Sequence, residues 1–232
     1  LLATGPSRAL VTSRFDVAVP YVYRPDFAGL SYPASAGLLV DEATVRARKS
    51  LSDFGRAESL ERIWILTNGM PLALHMVVGQ AQYYPLEQVI RNLEEARAEG
   101  PDEEFYRFLF MQAWNELGAT ARALLTYLGA ATRSPQTMYQ LLGIKVGTTE
   151  LTPPALAKAI SELFQWFLIE RLEPWLVQGQ TAYDLHPLTR SFILSEELRA
   201  KWQNEFAEDR LMEEASRKHA EIFKDSLQNA DD

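Results

Sequence analysis

Asn68-Gly69-Met70-Pro71-Leu72-Ala73-Leu74 is the stretch whose reading decides the fold. Glycine suits the left-handed position just past a helix C-terminus, and proline, which has no N–H, suits the first turn of a helix. The segment therefore predicts two helices meeting at a sharp corner. Before it, Glu58 to Thr67 has helical spacing, with Leu60, Ile63, Trp64 and Leu66 on the inward side. After it, Leu72 to Gln82 is apolar on nearly every face apart from His75, the mark of a centrally buried helix. Further out, Pro33 to Arg48 reads as a helix that starts near Ser31 and turns Leu38, Leu39 and Val45 inward. Leu86 to Ala98 reads as another, closed by Glu99-Gly100-Pro101.

Beyond that boundary the pattern changes. Glu103 to about Ala130 is helical and is expected to break at Gly118. Ser134-Pro135 reads as an N-cap followed by proline, opening a short helix that Gly143 closes; Thr152-Pro153 opens another, running to about Arg171. Trp175-Leu176-Val177 and Ala182-Tyr183-Asp184-Leu185 then read as two short strands about Gly179. Helices followed by a small hairpin is the order of a winged helix. From Glu196 onward the chain is helical and acidic. Ala215, Ala220, Ile222 and Phe223 form a sparse apolar stripe of the kind that opens a helical repeat array.

At the other end, Ala9-Leu10-Val11-Thr12-Ser13 reads as a strand ending at Arg14, and the residues up to about Tyr32 as an extended connection. A lone strand is not stable, so its sheet would be completed by residues outside this sequence. The expected fold class is thus mainly α: a residual α/β strand, a helical bundle and a winged-helix domain, then C-terminal helices. The boundaries fall at 1–32, 33–100, 101–195 and 196–232.

Composition narrows the chemistry. The chain has 232 residues, 47% of them hydrophobic, enough for a buried core. It contains no cysteine, which excludes disulfides and thiolate metal sites, and His75, His186 and His219 lack metal-ligand spacing. The absence of cysteine makes a cytoplasmic setting the expectation; no run approaches the roughly 20 apolar residues of a membrane span, and the start lacks a signal-peptide pattern. The net charge of −8 works against binding to a phosphate backbone. No serine, histidine or acid sits in a nucleophile elbow or a paired dyad, so no catalytic residue is assigned.

Three segments, in this order, resemble the NB-ARC branch of the STAND signal-transduction ATPases. Pro6-Ser7-Arg8-Ala9-Leu10-Val11-Thr12-Ser13-Arg14 is similar to the family's strand after Walker B, whose terminal arginine senses the γ-phosphate. Asn68 to Leu74 is similar to its Gly-x-Pro segment, and Leu185-His186-Pro187-Leu188-Thr189-Arg190 to its histidine-bearing motif. The family has Met-His-Asp at the last position, so the aspartate's role does not carry over to Pro187.

The resemblance implies Arg14, Gly69, Pro71 and His186 as nucleotide contacts, with Pro71 on the adenine and His186 near the β-phosphate. It implies ADP or ATP with Mg²⁺ as cofactor of the full-length protein, an ATPase. The chain itself has no Gly-x-x-x-x-Gly-Lys-Ser/Thr loop, so this portion alone is not expected to be catalytic or to bind nucleotide. The partners implied are an upstream P-loop domain in cis, and a protein partner or further copies on activation. A tetratricopeptide array often follows in bacterial members.

Each residue also has a plain reading. Arg14 can be a surface arginine, Gly69-Met70-Pro71 a simple turn, and His186 a helix cap beside Pro187. The alternatives for the whole are a winged-helix DNA-binding regulator and a helical protein-interaction adaptor. Against the first, Lys158 and Arg171 are balanced by Glu162 and Glu170 over the expected recognition helix, where Phe164, Trp166, Phe167 and Leu168 are apolar.

Overall fold

The computed structural model describes residues 29–46, 54–99, 102–132, 134–172, 181–206 and 208–228. Among them the fold is mainly helical, with a small antiparallel sheet. Four helices come first: α1 (Tyr32–Arg46), α2 (Ala57–Thr67), α3 (Pro71–Ala81) and α4 (Leu86–Glu99). Helix α3 is the axis of this group. Ala73, Leu74, Met76, Val77, Val78, Gly79, Gln80 and Ala81 are all buried, as its unbroken apolar character requires. Around it Leu39, Ile63, Val89, Ile90 and Leu93 are fully buried, each side chain contributing about 1.5–3 kcal/mol of hydrophobic stabilisation. Val45, expected inward, is 79% exposed. Leu39 and Ala43 carry the inward face of α1 instead.

The second group begins with α5 (Asp102–Glu116) and α6 (Ala119–Thr126), which break at Gly118 as expected. Helix α6 runs on into a π-helical turn, Tyr127–Ala131. Next come β1 (Gln136–Thr137), α7 (Met138–Leu141), a ribbon of β2 (Lys145–Val146) with β3 (Thr149–Glu150), and α8 (Pro153–Gln165). The strands β4 (Ile169–Leu172) and β5 (Ala182–Leu185) complete an antiparallel sheet of order β1-β5-β4. Then α9 (Pro187–Ile193), α10 (Glu196–Glu205) and α11 (Glu208–Gln228) follow. Trp202 of α10 is fully buried and its indole N–H donates to the Ile193 carbonyl at 2.8 Å.

Two expectations need correction. The short helix α7 is capped by Thr137, not Ser134: the Thr137 hydroxyl accepts from the Gln140 N–H while the Gln140 side chain accepts from the Thr137 N–H. Helix α8 stops at Gln165 rather than Arg171. Phe167 takes the left-handed conformation at φ 55°, and the Leu168 N–H turns back to the Leu163 carbonyl, a stop normally made by glycine. Glu170 and Arg171 therefore lie on β4, paired with Asp184 and Tyr183. The expected strands at residues 9–14 and 175–177 lie outside the described residues.

Helix α11 packs back on the second group, with Lys218 over the Tyr139 ring at 5.4 Å and a carboxylate contact to β2. Glu214 accepts from the Lys145 N–H at 2.9 Å and holds Arg217 at 2.7 Å, with Leu211 buried beside it. The Arg217 guanidinium, helped by the Lys145 N–H, holds the Glu214 carboxyl below its ordinary value against the opposing effect of burial. A depressed carboxyl contributes stability above its unfolded pKa and loses it as pH falls through the folded one. Chemical denaturation from pH 7 downward is therefore expected to show a stability gap between the native chain and Glu214→Gln that closes below about pH 4.5. A gap independent of pH would show that the carboxylate charge does not hold α11.

Candidate functional site

The residues singled out in the sequence fall at two helix beginnings, joined by α3. At the first, α2 ends with both Asn68 and Gly69 left-handed, at φ 50° and 64°, and their N–H groups return to the Ile65 and Trp64 carbonyls. Pro71 then opens α3 with Met70 as its N-cap, and the proline is exposed. Gly69 is buried because the backbone of Leu30 lies over it: the Leu30 N–H donates to the Gly69 carbonyl at 2.7 Å. A side chain on Gly69 would collide with that backbone.

At the second, His186 is the N-cap of α9, with Pro187 in the first turn. Its Nδ1 accepts from the Leu188 N–H at 3.1 Å, which places the proton of the neutral ring on Nε2. The ring thus keeps one donor available for an anion. Four residues on, Arg190 is held by a set of contacts that the sequence did not suggest. One guanidinium nitrogen donates to the Thr132, Leu128 and Gly129 carbonyls at 2.7, 2.8 and 3.3 Å, and the other pairs with Asp184 at 2.9 Å. Arg190 therefore satisfies carbonyls at the end of the π-helical turn and ties that turn, β5 and α9 together. Gly129 permits the close fit, since a Cβ there would stand 2.5 Å from Ile193 Cγ2.

Among the described residues no hydrogen bond, ion pair or ring contact joins the Gly69-Pro71 corner directly to His186. The connection runs through α3. Its far end seats against the turn that ends α8: Gln82 donates to the Gln165 carbonyl at 3.1 Å, and the Tyr83 ring stacks on Trp166 at 5.0 Å. His75, in mid-helix, stacks on Phe167 at 4.5 Å and lies 3.7 Å from the Glu42 carboxylate. A Cβ on Gly79 would approach the Gln165 carbonyl to 3.0 Å, so this approach also uses a missing side chain. Tyr84 adds a hydrogen bond to the Glu116 carboxylate, which is the leading cause of its raised pKa.

Arg14 lies outside the described residues. Among those described, no group of three or more histidine or acidic side chains could hold a metal ion, and no helix is long and apolar enough to cross a membrane. No family model matches the chain, and no curated protein matches it.

Replacing Arg190 by methionine keeps the length of the stem and removes every one of these bonds. A loss of about 2–4 kcal/mol in urea denaturation is expected, given the usual cost of stranding buried carbonyls and a carboxylate. Arg190→Lys should recover little, because a single ammonium cannot serve both the carbonyls and Asp184 in this geometry. Full recovery by lysine would mean that charge, not the planar fork, is what the turn requires.

Proposed function

We propose that this chain is the regulatory portion of a STAND-type nucleotide-dependent switch, one that closes over ADP or ATP bound to an upstream P-loop domain. The observation that carries the reading is the path of α3. It starts at Pro71, the proposed adenine contact, and seats against the α8–β4 turn of the unit that bears His186. One rigid element thus connects two contacts to the same nucleotide, as a switch with two arrangements needs.

Other features support the parts of this reading. The sheet order β1-β5-β4, with α8 ahead of the β4–β5 pair, fits a winged helix over residues 101–195. Helices α1 to α4 fit the bundle proposed for 33–100. In this scheme Pro71 and His186 favour the closed, ADP-bound arrangement, Arg14 favours the state carrying a γ-phosphate, and the Mg²⁺ ligands belong to the upstream domain. The full-length protein would then be a cytoplasmic ATPase that assembles with further copies or a protein partner on activation. Helix α11 would lead towards a tetratricopeptide array.

The DNA-binding alternative has the topology in its favour and the charges against it. Within α8 only Lys158 and Glu162 are charged, and Glu162 accepts from the Gly118 N–H. One cation on a recognition helix falls short of the several phosphate contacts that give duplex affinity. The adaptor reading would require neither nucleotide nor DNA.

The test uses the chain extended upstream through its nucleotide-binding domain and purified without added nucleotide. ADP is expected to co-purify with the native protein and to be lost from Pro71→Ala and His186→Ala. His186→Ser separates cap from contact: serine should restore the roughly 1 kcal/mol of capping stability without restoring ADP. Retention by the serine variant would assign His186 to capping alone, and absence of nucleotide from every folded variant would favour the adaptor.

A further inference from the structure

The chain entering α1 meets the turn before α3 through its backbone. Leu30 uses both of its peptide groups there: its N–H donates to the Gly69 carbonyl at 2.7 Å, and its carbonyl accepts the Trp64 indole N–H at 2.9 Å. The buried Ser35 hydroxyl reaches the same carbonyl at 3.4 Å. The approach is close enough to exclude a side chain at Gly29 or Gly69. A Cβ on Gly29 would overlap the Asn68 carbonyl, and one on Gly69 would overlap Leu30. Trp64 also meets Tyr32, the first residue of α1, edge-on at 5.8 Å. The ends of α1, α2 and α3 therefore converge on one peptide unit.

Such a contact transmits displacement and absorbs little. Side-chain contacts yield by changing rotamer, whereas two backbones in direct apposition have no such freedom. The strand is attached, moreover, next to the first hydrogen bond of α3, from the Leu74 N–H to the Met70 carbonyl at 3.1 Å.

We propose that Gly29-Leu30 and Asn68-Gly69 form a coupling joint that sets the position of the first turn of α3 relative to the start of α1. Gly29, Trp64 and Gly69 are then positioning residues for Pro71. The part of this inference that concerns Pro71 and nucleotide rests on the switch reading; the mechanical part does not.

Two measurements separate these parts. In the chain itself, amide hydrogen exchange is followed at Leu30, Leu74 and Val78 for the native protein, Gly29→Ala and Trp64→Phe. Both variants should speed exchange at Leu30 and Leu74 by about three- to tenfold, the worth of one net hydrogen bond, and leave Val78 unchanged. Fast exchange at Leu30 in the native chain, or opening at Leu30 that leaves Leu74 protected, overturns the joint. Uniform acceleration in Gly29→Ala would reflect general destabilisation, and Trp64→Phe, which removes the indole donor and trims the ring that meets Tyr32 without adding bulk at the backbone contact, then decides. In the chain extended upstream, both variants should retain several-fold less ADP than the native protein. Equal retention with the joint opened overturns the positioning role, whereas a native protein devoid of ADP removes the switch reading and leaves the exchange result to judge the joint.

Discussion

The seating of α3 against the turn that ends α8 is the contact on which the rest of the structure depends. Alongside the packing of α5 on α3 and α4, it joins the first four helices to the sheet-bearing unit in one hydrophobic core. Gly79 lets the backbones approach, Trp166 is fully buried in the seam, and the Tyr83 and His75 rings lie against Trp166 and Phe167. The approach is narrow because glycine, not a larger residue, faces Gln165. A rearrangement that lifts α3 from this turn would expose the Trp166 ring, which is otherwise fully buried.

The fate of the cations explains the electrostatic character of the surface. Arg97 donates to the Leu66 carbonyl and lies over Phe105 at 4.0 Å, Arg122 lies over Trp114 at 5.9 Å, and Arg190 is bound by carbonyls and Asp184. Arg62 bridges Glu87 and Glu94. These four guanidinium groups serve helix ends, rings and carboxylates of the chain itself, and the net charge of −8 disfavours binding to a nucleic acid.

Much of the helical architecture was legible because its signals are local. Gly69 and Pro71 marked the corner, Gly118 the break between α5 and α6, and Thr152-Pro153 the start of α8, each through its own backbone preference. What failed depended on distant partners. The end of α8 is made by Phe167, whose left-handed backbone costs of the order of 1 kcal/mol and is stabilised by stacking on His75, far away in sequence. No glycine announces it. The roles of Leu30 and Arg190 were hidden for the same reason: the first acts through its peptide groups and the second through carbonyls, and neither leaves a trace in residue type. His186 was legible as a cap, and Gly69 as a turn glycine, but the strand crossing over Gly69 was not.

The π-helical turn has a geometric consequence. It accommodates one more residue per turn than an α-helix does, so everything after Ala131 is rotated by about 100° from the face that α6 would otherwise have presented. The chain therefore reaches Thr132 and then β1 in a direction that a regular helix could not supply. Extra residues in helices can migrate along them by exchanging hydrogen bonds one at a time. Here the carbonyls that such migration would need at Leu128, Gly129 and Thr132 are already taken by Arg190, and that of Leu128 by the Thr132 hydroxyl as well. The insertion is thereby pinned in phase by a side chain arriving from α9, which through Asp184 also ties the turn to β5.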